Sequence, residues 1–327
     1  MRAIAIESYG GPEVLIKRDD MPMPQLEPGK VIVKVERAGI NFMDIHTRQG
    51  KYQRSVTYPV RLPCTLGMEG AGEVVEVGAD VSNVKKGDRV AWCISWGSYA
   101  EYASVPAALV ARIPDAISYD AAAASMFQGC TAHYLMDDVA RLHAGSTCLV
   151  HAASGSIGQI LIQLAKRAGA TVIATASTPE KRAVALQRGA DFALPYDGFA
   201  DEVRTLTNGR GVDVVFDSLG KATLRTSMQA ARTSGLIVNY GNVSGSIVDL
   251  DPIELGEAGS LFLTRPRLAD HMRDAKTVQR RADSIFEAIL ANDLQIEVGE
   301  RYKLEDVDVA HARIESREQI GKAIVEI

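Results

Sequence analysis

The stretch VHAASGSIGQ, residues 150–159, sets Ala153, Ser154, Gly155, Ser156 and Gly158 between two apolar runs. Residues this small leave the backbone bare, so something must pass close to it. The run before them reads as a strand and the run after them as a helix. The small residues therefore sit at a helix N-terminus, where unpaired N–H groups and the positive dipole end attract an anion. A pyrophosphate fits there if no side chain blocks it. Gly155 and Gly158 take the second and third glycine positions of the GxGxxG dinucleotide pattern, and Ala153 takes the first, so the motif is AxGxxG. Ala153, Gly155, Ser156 and Ile157 are the candidate contacts. A tight strand–helix turn in any α/β protein would use similar residues, so the surrounding elements must decide.

The choice of dinucleotide is read ~20 residues further on, where an Asp or Glu ending the second strand marks a free ribose 2′-hydroxyl. Residues 174–179 here are Ala, Thr, Ala, Ser, Thr and Pro, with no acid. Ser177 can donate a hydrogen bond, and Lys181 and Arg182 bring positive charge one turn later. These residues suit a 2′-phosphate and point to NADPH, although the same two cations would also fit a solvated helix start. Glu180 can cap that helix and point away.

The elements around the turn alternate. Strands are expected at 147–152, 171–177, 191–196, 212–218, 235–241 and 259–265, with helices at 156–169, 179–189, 200–209 and 222–232 between them. Such units imply a parallel, doubly wound sheet of the Rossmann kind, with strands buried on both faces. This context makes the AxGxxG turn a dinucleotide site. Residues 1–120 instead show short β-branched runs cut by Gly, Pro and Lys-Gly-Asp turns, which suggests a small barrel or rolled sheet. Residues 118–142 are rich in Ala and Leu and read as helix. Residues 276–294 and 305–316 read as helices and 322–327 as a strand, a tail expected to return to the first domain. The expected fold is thus α/β, with a β-rich domain over 1–124, a Rossmann domain over 125–266 and a return segment over 267–327.

Composition narrows the function classes. The chain has 327 residues, 46% of them hydrophobic, enough for two sizeable cores. A net charge of -5 without blocks of like charge argues against nucleic acid or an anionic membrane as partner. The opening MRAIAIESYGG lacks the apolar core of a signal peptide, and there is no run of ~18 apolar residues to span a bilayer. Cys64, Cys93, Cys130 and Cys148 are far apart in sequence and suit reduced thiols in the cytoplasm.

Several segments occur together in order: GGPEVL (10–15), AGINFMDIHTRQGKY (38–52), LGMEGAGEVVEVG (66–78), KKGDRVA (85–91), HAASGSIGQ, VFDSLGK (215–221) and SLFLTRP (260–266). Together they resemble the zinc-independent quinone oxidoreductases of the medium-chain dehydrogenase/reductase superfamily, essentially end to end. The resemblance implies a GroES-like catalytic domain, a Rossmann domain and a homodimer. Zinc-dependent alcohol dehydrogenases of the superfamily carry a Cys and a His where this chain has Asn41 and Met68. Neither an amide nor a thioether suits zinc, so no metal is expected.

The resemblance also implies residue roles. Asn41 would hydrogen-bond near the nicotinamide ribose or the substrate oxygen, and Tyr52 would line the pocket; these two are the candidate catalytic residues. Gln128 and Thr131 would approach the nicotinamide. Tyr196 would pack on the adenosine or its phosphate, with Ser218 following the next strand. Tyr240, Gly241 and Asn242 would sit against the ribose and nicotinamide, and Phe262 and Thr264 would meet the carboxamide. Trp92 and Trp96 would add to the pocket lining. Asp44 is expected to orient local backbone. His46 could deliver a proton near neutral pH, although a satisfied or exposed histidine is the plainer reading, and Arg317 and Lys322 could reach a phosphate, although a surface role suits both. The implied activity is NADPH-dependent hydride transfer to a small-molecule electron acceptor, a quinone or a related conjugated carbonyl. The alternatives are a reductase of enones or enoyl thioesters, and a non-catalytic NADPH-binding protein.

Overall fold

The computed structural model describes residues 1–316 and 321–327. It divides into two compact units, one made of residues 1–130 and 271–327, the other of residues 131–270. The first division falls inside the helix Tyr119–Tyr134. That helix passes into a π-helical turn, Leu135–Ala140, which ends at Arg141 in the left-handed region.

In the second unit the alternating pattern folds as a six-stranded parallel sheet. Its order is Phe192–Leu194, Thr171–Thr175, Thr147–Val150, Val212–Asp217, Ala231–Asn239, Phe262–Thr264. The strand preceding the glycine turn is therefore central, and the chain reverses its direction of strand addition around it. Leu149, Ile173, Val215 and Ile237 are buried in one core cluster, as expected of strands covered on both faces. Each such side chain contributes roughly 1.5–3 kcal/mol of burial free energy. The expected last strand shortens to three residues at the sheet edge.

The first unit is mostly antiparallel. Lys30–Gly39 pairs with Glu69–Val77, with Tyr102–Pro106 and with the late strand Lys322–Glu326. Glu69–Val77 continues to Arg89–Cys93, which pairs with Val110–Arg112. A strand not foreseen in the sequence, Val298–Lys303, adds in parallel to Lys322–Glu326. It carries Gly, Glu, Arg and Lys and no apolar alternation, so sequence pattern alone did not mark it. Ala3–Ile6 joins Ile16–Arg18 and Cys64–Thr65 in a separate three-stranded sheet. The tail returns to this unit as expected: Ile314, Ala323 and Val325 share a core with Ile4, Ile40 and Leu66. Trp92 is fully buried in this unit's other core, with its indole N–H donating to the Ser95 carbonyl, so it serves packing.

Candidate functional site

The candidate residues form two groups, one on each unit. In the second unit, the helix Ser156–Arg167 begins directly after Gly155, and no side chain caps it. Its first N–H groups are left for an outside acceptor. Gly155 has φ -72 and ψ 161, ordinary extended backbone, so the turn does not need glycine there for its conformation. The left-handed residue in this turn is Ala152, at φ 49. A Cβ at Gly155 would meet only the Ala152 carbonyl oxygen, at 3.2 Å; what the glycine preserves is open space before the helix end. Gly158 differs. A Cβ there would lie 2.5 Å from the Ala152 oxygen and 2.8 Å from the Ala153 Cα, both backbone. Its role is close packing of helix against strand.

Buried polar contacts hold the turn. The Ala152 N–H donates to the Tyr196 hydroxyl at 3.1 Å, so Tyr196 supports the turn directly. Ala153 N–H reaches the Thr175 carbonyl at 3.1 Å. The His151 ring lies 2.6 Å from Thr175 Oγ1 and 2.9 Å from Ser227 Oγ, and burial lowers its pKa to about 4, which keeps it neutral. Asp217 accepts from the N–H groups of Leu219 and Gly220 and from Thr223, closing the next strand–helix turn beside Ser218. A Cβ on Gly241 would fall 2.3 Å from the Ser218 carbonyl, so the two strand-end loops touch backbone to backbone. Tyr240 lies between them, its hydroxyl near Ser218 and its pKa raised by burial. Asn242 is exposed, Thr264 half-buried, and Phe262 is 63% exposed on the edge strand.

At the end of the strand Thr171–Thr175, Ser177 is exposed and Lys181 and Arg182 are half-buried. Thr178 caps the following helix, accepting from Lys181 N–H at 3.3 Å. Glu180 hydrogen-bonds to Thr178 and to its own backbone, which lowers its pKa. That local use agrees with its expected capping role.

In the first unit, the short helix Phe42–Arg48 starts at Asn41. Asp44, fully buried, accepts from Asn41 N–H at 2.7 Å, Met68 N–H at 3.0 Å and the Tyr99 hydroxyl at 3.1 Å. It ties two loops together, the backbone-orienting role expected of it. Burial pushes its carboxyl up to about 7, against the pull of these donors and of Lys322. Behind it the Tyr99 hydroxyl lies 3.2 Å from His311 Nε2. Arg48 meets His311 Nδ1 at 3.1 Å and Glu315 at 2.8 Å.

Asn41 itself is 4% exposed and fully engaged within the unit. Its Nδ2 donates to Glu69 Oε2 at 3.0 Å and to the Gly39 carbonyl at 3.3 Å. Its Oδ1 accepts from Gln128 Nε2 at 2.8 Å and from Lys322 Nζ at 2.7 Å. Lys322 also reaches Glu69 Oε2 at 2.6 Å, with both side chains buried. Lys322 is therefore neither a surface residue nor free to meet a phosphate, contrary to both expectations. Arg317 lies outside the described residues. Glu69, Gln128 and Lys322 were not foreseen as one cluster; only contact between distant segments brings them together.

Tyr52 lies in a row of rings. Centroids are 6.2 Å apart from Phe42 to His46, 6.2 Å from His46 to Tyr52, and 6.0 Å from Tyr52 to Tyr58. Burial and Lys51 lower the His46 pKa to about 4. It is neutral at physiological pH, and a neutral imidazole is a poor acid, so the packed reading is favoured over proton delivery.

The residues of the second unit fit a dinucleotide: besides the uncapped helix end, Thr131 Oγ1 is buried without a hydrogen-bond partner. In the first unit Gln128 Oε1 is buried in the same state. Buried polar atoms left so are costly unless a ligand meets them. The residues do not fit a zinc ion. Met68 is a buried thioether, and the Glu69 carboxylate is already neutralised by an ammonium 2.6 Å away. Among the described residues no group of three or more His, Cys, Asp or Glu is gathered to hold a metal, and no helix is long and apolar enough to cross a membrane.

Comparison with known proteins agrees with this geometry. Residues 27–115 match the alcohol dehydrogenase GroES-like domain, and residues 156–285 match the zinc-binding dehydrogenase family. A quinone oxidoreductase of Pseudomonas aeruginosa is 37% identical, with 99% of each chain covered. A mycobacterial protein solved with NADPH superposes with a TM-score of 0.94 at 37% identity, covering 100% of both chains. The Escherichia coli quinone oxidoreductase, also solved with NADPH, gives 0.94 at 33% identity, again covering 100% of both. With a GroES-like region, a Rossmann sheet carrying AxGxxG, and an ion pair where a zinc site would need ligands, the chain belongs to the zinc-independent quinone oxidoreductases of the medium-chain dehydrogenase/reductase superfamily.

Proposed function

We propose that this protein is an NADPH-dependent reductase of quinones. The uncapped helix N-terminus behind Gly155 carries the reading, because it offers backbone donors and bare space to a pyrophosphate. NADPH bound there supplies a hydride, and reduction of a quinone to hydroquinone also consumes a proton. The protein contributes binding and orientation. Ala153, Gly155, Ser156 and Ile157 form the phosphate cradle. Ser177 and Lys181 face the 2′-phosphate, which the acid-free segment 174–179 leaves unrepelled. Tyr196 holds the cradle in place, and Ser218, Tyr240, Gly241, Asn242, Phe262 and Thr264 line the strand ends toward the nicotinamide half. Gln128 and Thr131 offer it buried, unmet polar atoms. Tyr52, within its row of rings, supplies an aromatic wall for a flat acceptor. Asn41 acts on the ligand through Gln128, its own amide being occupied. Hydroquinone oxygens can take protons from water, so the lack of a charged His46 is no obstacle.

In this reading residues 1–124 with 267–327 form the catalytic domain and 125–266 the cofactor domain. The protein works as a cytoplasmic homodimer; the open edge strand Phe262–Thr264, with its exposed phenyl ring, supports self-association. NADPH consumption measured against a panel of quinones, enones and enoyl thioesters tests the assignment. Turnover should be fastest with quinones. Turnover confined to enones or enoyl thioesters would replace it with carbon–carbon double-bond reduction.

A further inference from the structure

The cluster around Asn41 has a fixed polarity that can be followed atom by atom. Lys322 has only donors, so the Asn41 atom 2.7 Å from its ammonium is the oxygen. The Asn41 amide nitrogen must then face Glu69 and the Gly39 carbonyl. Because Asn41 presents its oxygen, the Gln128 atom 2.8 Å from it must be the nitrogen. Gln128 is left holding its oxygen, Oε1, toward whatever else it meets, and that oxygen is buried with no partner. Gln128 is 6% exposed. The charge on Lys322 thus decides, through two amides, that the last atom of the chain is an acceptor.

We propose that Gln128 Oε1 selects a hydrogen-bond-donating group, a hydroxyl or an amide N–H, on a ligand of this enzyme, and that Lys322 is the positioning residue that enforces this choice. The inference rests on the proposed function. Two sources carry such a donor: the cofactor, through its ribose hydroxyls or carboxamide, and the reduced acceptor, through its hydroquinone hydroxyl. An oxidised quinone carries none, so a hydroquinone donor would mark recognition of product rather than substrate.

A charge-balanced double variant, Glu69→Gln with Lys322→Met, tests the polarity separately from the ion pair. Phe127 N–H donates to Glu69 Oε1 at 2.5 Å, so a glutamine at 69 must keep its oxygen there and turn its nitrogen toward Asn41. Asn41 then turns its oxygen to that nitrogen, giving up the long contact to Gly39, and its nitrogen faces Gln128. Gln128 answers with its oxygen and presents a nitrogen outward. The second variant, Gln128→Met, removes the acceptor while Lys322 still satisfies Asn41. NADPH affinity is read by fluorescence titration, hydroquinone affinity by product inhibition, and folding by thermal melts.

Both variants should weaken the same ligand by about tenfold, the loss of roughly one buried hydrogen bond. The double variant should do so without the loss of melting temperature that Lys322→Met alone causes by leaving Glu69 unpaired. Weaker NADPH binding assigns the donor to the cofactor. Weaker hydroquinone inhibition with NADPH binding intact assigns it to the reduced acceptor. If neither ligand weakens in Gln128→Met, the proposal is overturned. If Gln128→Met weakens a ligand but the folded double variant binds like wild type, the role of Lys322 is overturned. A double variant that failed to fold would leave Gln128→Met to decide the ligand contact and a second neutral pair, Glu69→Gln with Lys322→Leu, to decide the role of Lys322. Wild-type protein that bound no NADPH would refute the proposed function itself.

Discussion

In the second unit, the turn from Ala152 to Gly155 prepares for a ligand by what it omits: large side chains, a helix cap and any carboxylate. In the first unit, the cluster of Asn41, Glu69, Gln128 and Lys322 is crowded with groups that satisfy one another, except for one oxygen. The first arrangement is local, four consecutive residues whose backbone is the instrument. The second is assembled from four segments, the farthest pair 281 residues apart in sequence. A backbone cradle tolerates many sequences so long as they are small. A side-chain cluster of fixed polarity tolerates few, because a change in one member turns its neighbours.

Substitutions in the cradle should have the largest effects and divide by mechanism. Gly155→Val should weaken NADPH binding by at least about 100-fold, near 2.7 kcal/mol, while thermal melts stay close to wild type. Its backbone is unstrained and its Cβ would press only on the Ala152 carbonyl oxygen, at 3.2 Å, so the ligand is the main group obstructed. Gly158→Val should instead lower stability by about 1–3 kcal/mol or more, because its Cβ is driven into backbone that cannot yield. Normal NADPH binding by Gly155→Val would end the reading of this turn as a pyrophosphate cradle.

Cofactor choice comes next. NADPH should bind about 30-fold more tightly than NADH, near 2 kcal/mol, and Lys181→Ala should narrow that gap by weakening NADPH alone. Equal affinities of the wild type for both dinucleotides would refute the assignment of Ser177 and Lys181 to the 2′-phosphate.

The effect at Asp44 is of another kind and appears only against pH. Its folded carboxyl is held up to about 7 by burial, above the ordinary value of 3.8. The native state therefore keeps a proton that the unfolded state releases. The resulting stability is full below pH ~4 and is lost as pH rises toward about 7, with little further change above. Melting temperatures of wild type and Asp44→Asn, compared across that range, should diverge with this sign. Parallel curves would mean that Asp44 is ionised throughout.

The same contrast explains what could be read from the sequence. The Rossmann sheet was legible because buried parallel strands are continuous apolar runs separated by helices of helical period. The AxGxxG turn was legible because its residues are adjacent. Gln128 and Thr131 were placed by resemblance, and their unmet atoms lend that placement physical support. Lys322 was misread because a lysine near a polar tail reads as solvated; nothing local shows that Glu69 waits for it inside the fold. The strand Val298–Lys303 was missed for a related reason, since its charged side chains reflect a sheet edge and its pairing is decided by Lys322–Glu326. For His46 the sequence left two readings open, and burial, which lowers its pKa to about 4, favours the plainer one, a packed neutral ring.

The ion pair between Glu69 and Lys322 also sets a timetable. The two residues are 253 positions apart. At about 5–20 residues per second, the ribosome needs roughly 10–50 s to supply the lysine after the glutamate. The second unit is one continuous segment, residues 131–270, and lies wholly within that interval. It can fold as soon as it emerges, while the first unit must wait with an unpaired carboxylate at its centre. A nascent chain can thus own a finished dinucleotide fold before the strand Lys322–Glu326 arrives to close the other unit. The polarity of Gln128 is then among the last features of the molecule to be decided.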